Sequence, residues 1–156
     1  MDRLLWILAA LVLSIVLYRY FFMPVPNSQQ RISLSALEAE VALLESGEAN
    51  YLILSVPGTD HFLNVSGELG CLEVDLPQIL PWQIDLEDRF SSVLLANGIP
   101  PYESKGSDGS RFIDGTITGP TAQMTAVLSR IFQQTFDVAP GSDVVVEKPF
   151  KLETYQ

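Results

Sequence analysis

The sequence Cys71-Leu72-Glu73-Val74-Asp75-Leu76 alternates aliphatic residues with residues that are acidic or small. A period of two is typical of a β-strand that buries one face. From this strand to the end of the chain, the pattern predicts strand, helix, strand, strand, helix and strand. The sequence therefore predicts an α+β fold of the ferredoxin-like, split βαβ type, with two helices on one face of an antiparallel sheet.

Turn and cap residues set the expected limits of the middle elements. The helix after the first strand is predicted to begin at Asp85, a good N-cap residue, and to end at Asn97-Gly98. Asp108-Gly109 predicts a tight hairpin turn that leads into a strand at residues 111–118. Gly115 lies inside that strand, where an isolated glycine indicates a bulge.

Further elements are predicted at both ends of this core. The last helix is expected to begin at Pro120, and residues 143–147 are expected to form a last strand buried on both faces. Upstream, residues 36–46 form an amphipathic helix pattern, and residues 51–66 predict a hairpin. We expect this extra hairpin to extend the sheet or to cap one end of it.

The N-terminal segment is long and apolar enough to cross a bilayer. It begins at Leu4 and ends at Met23, and Arg19 is the only charged residue within it. Twenty helical residues span roughly 30 Å, the thickness of the hydrocarbon core. We predict an uncleaved single-pass transmembrane anchor, and the alternatives are a cleaved signal peptide and a buried core helix. Lys and Arg are balanced around the span, so the side of the membrane that holds the rest of the chain stays undecided.

Composition separates an apolar beginning from an acidic remainder. The chain of 156 residues has 9 Lys+Arg and 19 Asp+Glu, a net charge of -10, although its mean hydropathy is +0.24. Residues 24–156 alone carry 7 Lys+Arg and 18 Asp+Glu, a charge of -11. The predicted parts are a transmembrane anchor (1–23), a linker (24–34), an acidic α+β domain (35–150) and a tail (151–156).

The same composition argues against several classes of function. Nucleic-acid binders are basic, so no nucleic-acid partner is expected. A single cysteine, Cys71, cannot form the disulfides of a secreted mini-protein. Glycine-rich phosphate or dinucleotide motifs do not occur in the sequence, so no cofactor is expected. His61 and Cys71 are the only soft metal ligands in the sequence, which argues against a zinc site.

Groups that do acid–base or nucleophilic chemistry are sparse in this sequence. Cys71 and His61 are ten residues apart on adjacent predicted strands, so a nucleophile and base pair is conceivable. Carboxylates cluster at the predicted helix start and oxygen side chains cluster near the hairpin turn, and both are better explained by capping and turn formation. These two groups are Asp85, Glu87 and Asp88, and Asp108, Ser110 and Asp114. We predict no catalytic, cofactor-binding or metal-binding residue.

An apolar loop between the first strand and its helix is the strongest candidate for a binding surface. The loop contains two prolines and four large apolar residues, Ile79, Leu80, Trp82 and Ile84. Exposed apolar residues and tryptophan are enriched where proteins bind partners. The alternative is that these four residues close one end of the hydrophobic core.

These features lead to three hypotheses about function. The first is a membrane-anchored, non-enzymatic protein-interaction domain, such as a scaffold subunit of a bacterial envelope complex. The second is an immunity protein whose acidic surface neutralises a basic toxin. The third is a small hydrolase that uses Cys71 and His61. The expected partner is a protein, which under the second hypothesis is basic, and self-association into a homo-oligomer stays open.

Overall fold

A computed structural model describes residues 28–148, which form an α+β fold around a seven-stranded antiparallel sheet. The predicted α+β class and the antiparallel sheet are therefore confirmed. The strands are β1 (Ser28–Ser33), β2 (Tyr51–Ser55), β3 (Phe62–Glu68), β4 (Cys71–Pro77), β5 (Tyr102–Lys105), β6 (Arg111–Thr118) and β7 (Asp143–Lys148). The helices are α1 (Leu37–Glu45), α2 (Pro81–Asp85), α3 (Glu87–Ala96) and α4 (Thr121–Phe136), and a 3-10 turn at Leu34–Ala36 precedes α1.

The strand order is β1-β7-β2-β3-β4-β6-β5. The predicted hairpin of β5 and β6 forms, and β6 also pairs with β4. The β2–β3 hairpin, however, lies inside the sheet between β7 and β4, and it neither extends the sheet at an edge nor caps it. Without the inserted hairpin, β7 would be expected to pair antiparallel with β4. An insertion of two antiparallel strands does not change the direction that β7 must run, so β7 pairs antiparallel with β2 instead.

One face of the sheet is covered by helices, and we call the other the open face. Leu72, Val74 and Leu76 of β4 are buried, as the alternation in the sequence predicts. They belong to one cluster with apolar residues of α1, α3 and α4, so these three helices pack on the same face. The intervening residues Glu73 and Asp75 are half-buried and lie on the open face.

Strand β7 lies between β1 and β2, one position in from the edge. Its valines are not all buried, because Val144 and Val146 face the core while Val145 is half-buried on the open face. The prediction of burial on both faces was therefore wrong. Flanking strands on both sides satisfy the backbone of β7, but no described helix packs over the open face at Val145.

Gly115 marks a close approach rather than a bulge. The β4–β6 register runs without interruption through the pair of Val74 and Gly115. A Cβ atom at Gly115 would lie 2.7 Å from Leu94 Cδ2 and 2.9 Å from Ile99 Cγ2. Glycine therefore lets α3 and the segment after it approach β6 closely.

Two predicted boundaries need correction. Residues 28–33, assigned to the linker from sequence, form the edge strand β1, which backbone pairing with β7 stabilises although its sequence is mostly polar. The Arg31 side chain reinforces this pairing, because its Nε donates a 2.8 Å hydrogen bond to Asp143 Oδ2. Asp85 does not cap α3. It ends the short helix α2, and α3 begins at Glu87.

Within residues 28–148, no helix is both long and apolar enough to cross a membrane. The predicted anchor at residues 4–23 lies outside the described residues. So do the first residues of the predicted linker and the predicted tail at residues 151–156.

Candidate functional site

The apolar loop predicted from sequence corresponds to residues 77–85, and its second half is not a loop but the short helix α2. The segment presents three aliphatic side chains at the surface. Ile79 is 62% exposed, Ile84 is 55% exposed and Leu80 is 39% exposed. Burying one aliphatic side chain is worth about 1.5–3 kcal/mol, so leaving three of them exposed within six residues of sequence is costly. The loop therefore offers an apolar contact surface.

Gln83 holds the backbone of this loop from within. Its side chain is buried, and its Oε1 atom accepts hydrogen bonds from the backbone N–H groups of Ile79 (3.0 Å) and Leu80 (2.7 Å). The N–H of Gln78 donates a 2.8 Å hydrogen bond to the carbonyl of Arg111 at the start of β6. These bonds satisfy backbone donors that a loop would otherwise leave to water, so the loop has a defined shape.

Trp82 anchors the loop instead of joining its exposed surface. Its ring is half-buried, and its centroid lies 4.7 Å from that of His61 and 5.8 Å from that of Phe62. Phe136 at the end of α4 completes this aromatic group, 6.5 Å from Trp82. Of the four candidates from the sequence, three are exposed, whereas Trp82 closes one end of the core. The binding-surface interpretation therefore applies to the three aliphatic residues, and the core-closing interpretation applies to Trp82.

A second group of residues lies on the open face, and we call Glu73, Asp75 and Asp114 the carboxylate cluster. Asp75 on β4 is the direct cross-strand partner of Asp114 on β6. Glu73 is two residues from Asp75 on the same face of β4. Asn64 on β3 donates a 2.8 Å hydrogen bond from Nδ2 to Asp75 Oδ1. Tyr102 on β5 donates a hydrogen bond from its hydroxyl group to Glu73 Oε1.

The cluster is electrostatically unfavourable. Burial, together with the nearby charges of Asp114 and Glu73, raises the pKa of the Asp75 carboxyl to about 7, although the Asn64 hydrogen bond opposes the shift. Burial likewise raises the pKa of Asp114, against a hydrogen bond from Ser104. Protons are therefore retained on this cluster at pH values where exposed carboxylates are ionised.

Asp114 is the most buried member of the cluster. It is 3% exposed, and its Oδ2 atom is buried with no hydrogen-bond partner among the described residues. Within residues 28–148, none of the three carboxylates forms an ion pair. From sequence, Asp114 is only a weak candidate near the hairpin turn, and Glu73 and Asp75 do not stand out as site residues. The acidic positions of β4 were visible in the sequence, but their juxtaposition with Asp114 depends on the β4–β6 register.

The structure does not bring Cys71 and His61 together. Cys71 begins β4 opposite Glu68, at the turn of the β3–β4 hairpin. His61 precedes β3 at the other end of that hairpin, about 20 Å away at the rise of an extended strand. His61 packs on the aromatic rings of Trp82 and Phe136. A Cys–His nucleophile pair would need hydrogen-bond contact, and this arrangement excludes it.

Two of the other carboxylates considered from sequence, Glu87 and Asp108, have structural partners. Glu87 binds Arg111 through two hydrogen bonds of 2.7 and 2.8 Å, and these bonds hold the pKa of Glu87 below its usual range. Asp108 Oδ1 accepts a 3.0 Å hydrogen bond from the backbone N–H of Ser110 within the hairpin turn. No group of three or more His, Cys, Asp or Glu residues in the described part of the chain is arranged to hold a metal ion.

Comparisons with known proteins found no match to this chain among protein-family models, curated proteins or solved structures. The arrangement of its own residues is therefore the basis for assigning a function.

Proposed function

We propose that this chain is a membrane-anchored, non-enzymatic protein-interaction domain, and that it acts as a scaffold subunit of a bacterial envelope complex. In this proposal residues 4–23 anchor the chain, and a ferredoxin-like core with an inserted hairpin carries the binding surface. The apolar loop is that surface. The side of the membrane that the domain faces is left open.

One observation carries the proposal: Ile79, Leu80 and Ile84 are exposed together on a loop whose backbone is held in place. Interfaces gain most of their affinity from a few anchor residues, and holding such residues in the binding conformation beforehand lowers the cost of binding. Gln83 and Trp82 supply this preorganisation from beneath the surface. A loop that only closed the core would bury its aliphatic side chains as well as its tryptophan.

Site-specific photo-crosslinking in native membranes tests the proposal. A photoreactive residue at position 84 should give a discrete adduct with one polypeptide, either a second copy of this chain or a membrane partner. Leu95 on α3 is 61% exposed and provides a matched control position away from the loop. We expect no adduct at position 95, and we expect Ile79→Ser to abolish the adduct formed at position 84.

Equal adducts from positions 84 and 95, or no adduct from position 84, would contradict the proposal. A reporter that is active on one side of the membrane, fused to the C-terminus, determines the orientation of the domain in the same cells. An adduct with a second copy would identify the chain as a homo-oligomer.

A second candidate function is an immunity protein that neutralises a basic toxin. The specific observation in its favour is the carboxylate cluster, which has no counter-charge among the described residues. This function predicts a one-to-one complex whose association rate falls steeply with ionic strength. A scaffold bound through the apolar loop should lose its partner in Ile79→Ser, whereas a toxin bound at the carboxylate cluster should not, so this variant separates the two functions.

A further inference from the structure

The carboxylate cluster has no counter-charge among the described residues, and we propose that it binds the guanidinium group of an arginine side chain from a partner protein. The inference rests on the interaction function proposed above and names the chemistry of the partner. The cluster lies on the open face, where no helix of residues 28–148 packs. A partner can therefore approach its half-buried members, Glu73 and Asp75, from this side, whereas Asp114 is buried.

The first line of support is the absence of an internal counter-charge. Within the described residues, the cationic side chains that form ion pairs do so elsewhere. These pairs are Arg31 with Asp143, Arg89 with Asp137, Arg111 with Glu87 and Glu103, and Lys148 with Glu40. Three neighbouring carboxylates without a cation repel one another, and an added cation removes this repulsion.

The second and independent line of support is the state of the Asp114 side chain. Its Oδ2 atom is buried and has no donor among the described residues, although the residue as a whole is 3% exposed. The other buried side-chain atoms without a partner in residues 28–148 belong to neutral amide, indole and hydroxyl groups. Asp114 is thus the one ionisable residue among these unpartnered groups of residues 28–148. Leaving a buried carboxylate oxygen without a hydrogen-bond donor costs free energy, which a donor would recover.

The geometry favours arginine over lysine. Asp75 and Asp114 are direct cross-strand partners, which places their Cβ atoms about 5 Å apart. A planar guanidinium group has five N–H donors and can reach two adjacent carboxylates at once, whereas an ammonium group is a single compact charge. Tyr102 lies next to Asp114 on β5 and is 44% exposed, so its ring is available to stack on the guanidinium plane.

Titration of peptides into the isotope-labelled full chain, kept soluble in an uncharged detergent, tests this site. The probe is the capped tripeptide Gly-Arg-Gly, and its control is the same peptide with citrulline, which has the shape of arginine but no charge. We expect saturable NMR shift changes centred on Asp75, Asp114 and Tyr102 with the arginine peptide. We expect no saturable change with the citrulline peptide.

Two isosteric variants locate the binding. Asp114→Asn and Asp75→Asn should each weaken the arginine peptide about tenfold or more, because each removes a charged hydrogen-bond partner. Asp60→Asn removes one negative charge from an exposed turn and should leave the affinity within about twofold. Backbone spectra that match the parent chain verify that each variant is folded.

The inference is overturned if the arginine peptide does not bind, if the citrulline peptide binds equally well, or if Asp60→Asn weakens binding as much as Asp114→Asn. Ile79→Ser separates the inference from the proposed function, since it should abolish the crosslink at position 84 and leave arginine binding unchanged. If arginine binding fails while the crosslink forms, only the present inference is wrong. If the crosslink fails while arginine binds at the cluster, the apolar loop is not the interaction surface.

Discussion

Asp75 and Asp114 face each other across two antiparallel strands, and no described cation lies between them to compensate their charges. Antiparallel strands do not usually place two carboxylates opposite one another, because directly opposed like charges destabilise the sheet. The chain tolerates this arrangement because the pKa values of Asp75 and Asp114 are both raised, so protons stay on the cluster and reduce the repulsion.

This relationship predicts an unusual dependence of stability on pH. The pKa of Asp75 is about 7 in the folded chain against an ordinary value of 3.8, so the folded state binds more protons than the unfolded state between those values. The free energy of unfolding should therefore fall as the pH rises from about 4 to about 7, by roughly 2–4 kcal/mol. Asp75→Asn should flatten this dependence and raise stability at pH 8.

Urea denaturation of the parent chain, Asp75→Asn and Asp60→Asn at several pH values measures the effect. Asp60 lies in an exposed turn, so its variant should follow the parent curve. A parent chain that gains stability between pH 4 and pH 7 would show that the raised pKa of Asp75 is wrong.

The shape of the apolar loop depends on the Gln83 side chain. Gln83→Ala removes the acceptor of the Ile79 and Leu80 N–H groups, and we expect it to lower the free energy of unfolding by about 2 kcal/mol. The amide protons of Ile79 and Leu80 should then exchange faster with solvent. Gln123→Ala, at an exposed position of α4, is the matched control. Unchanged exchange at Ile79 in Gln83→Ala would mean that another contact holds the loop.

Trp82 and Ile79 should respond differently to substitution, although they lie three residues apart. Trp82→Ala removes packing against His61, Phe62 and Phe136 and should cost about 3 kcal/mol of unfolding free energy. Ile79→Ser, at a residue that is 62% exposed, should change stability by no more than about 0.5 kcal/mol. Thermal unfolding of both variants makes the comparison. Similar losses would show that Ile79 belongs to the core and not to a binding surface.

Gly115 and Leu94 should be coupled energetically. Gly115→Ala places a Cβ atom 2.7 Å from Leu94 Cδ2, so it should cost about 1–3 kcal/mol through overpacking. In the double variant with Leu94→Ala, the space left by leucine accommodates the new methyl group. The cost of the double variant should then be smaller than the sum of the two single costs, which a double-mutant cycle in urea measures. Simple additivity would mean that α3 moves away from β6 instead.

Periodicity in the sequence was a good guide to the strands but a poor one to their neighbours. The alternation at residues 71–76 correctly predicted which side chains of β4 face the core. It did not predict that β2 and β3 would lie between β4 and β7, because backbone pairing is equally available to any strand of suitable direction. Strand β1 was missed because an edge strand with polar residues has little alternation to detect.

The two candidate surfaces differ in how visible they were from sequence. The apolar loop was visible in the sequence from its local composition. Only the structure distinguished the exposed Ile79, Leu80 and Ile84 from Trp82, which packs against the core. The carboxylate cluster joins two strands, β4 and β6, that are separated in the chain by two helices and strand β5. Its members had no shared local signal, and their proximity follows only from the β4–β6 register.

The sequence by itself determined the class of fold, the positions of most strands and helices, and the side chains that face the core, because local periodicity reports burial directly. The tertiary structure decided which strands are neighbours, which apolar loop residues stay exposed, and that Asp75 meets Asp114. Long-range pairing sets these features, since a strand exposes the same backbone donors and acceptors to every possible neighbour. Packing of the whole core selects one strand order from the many that backbone pairing alone would allow.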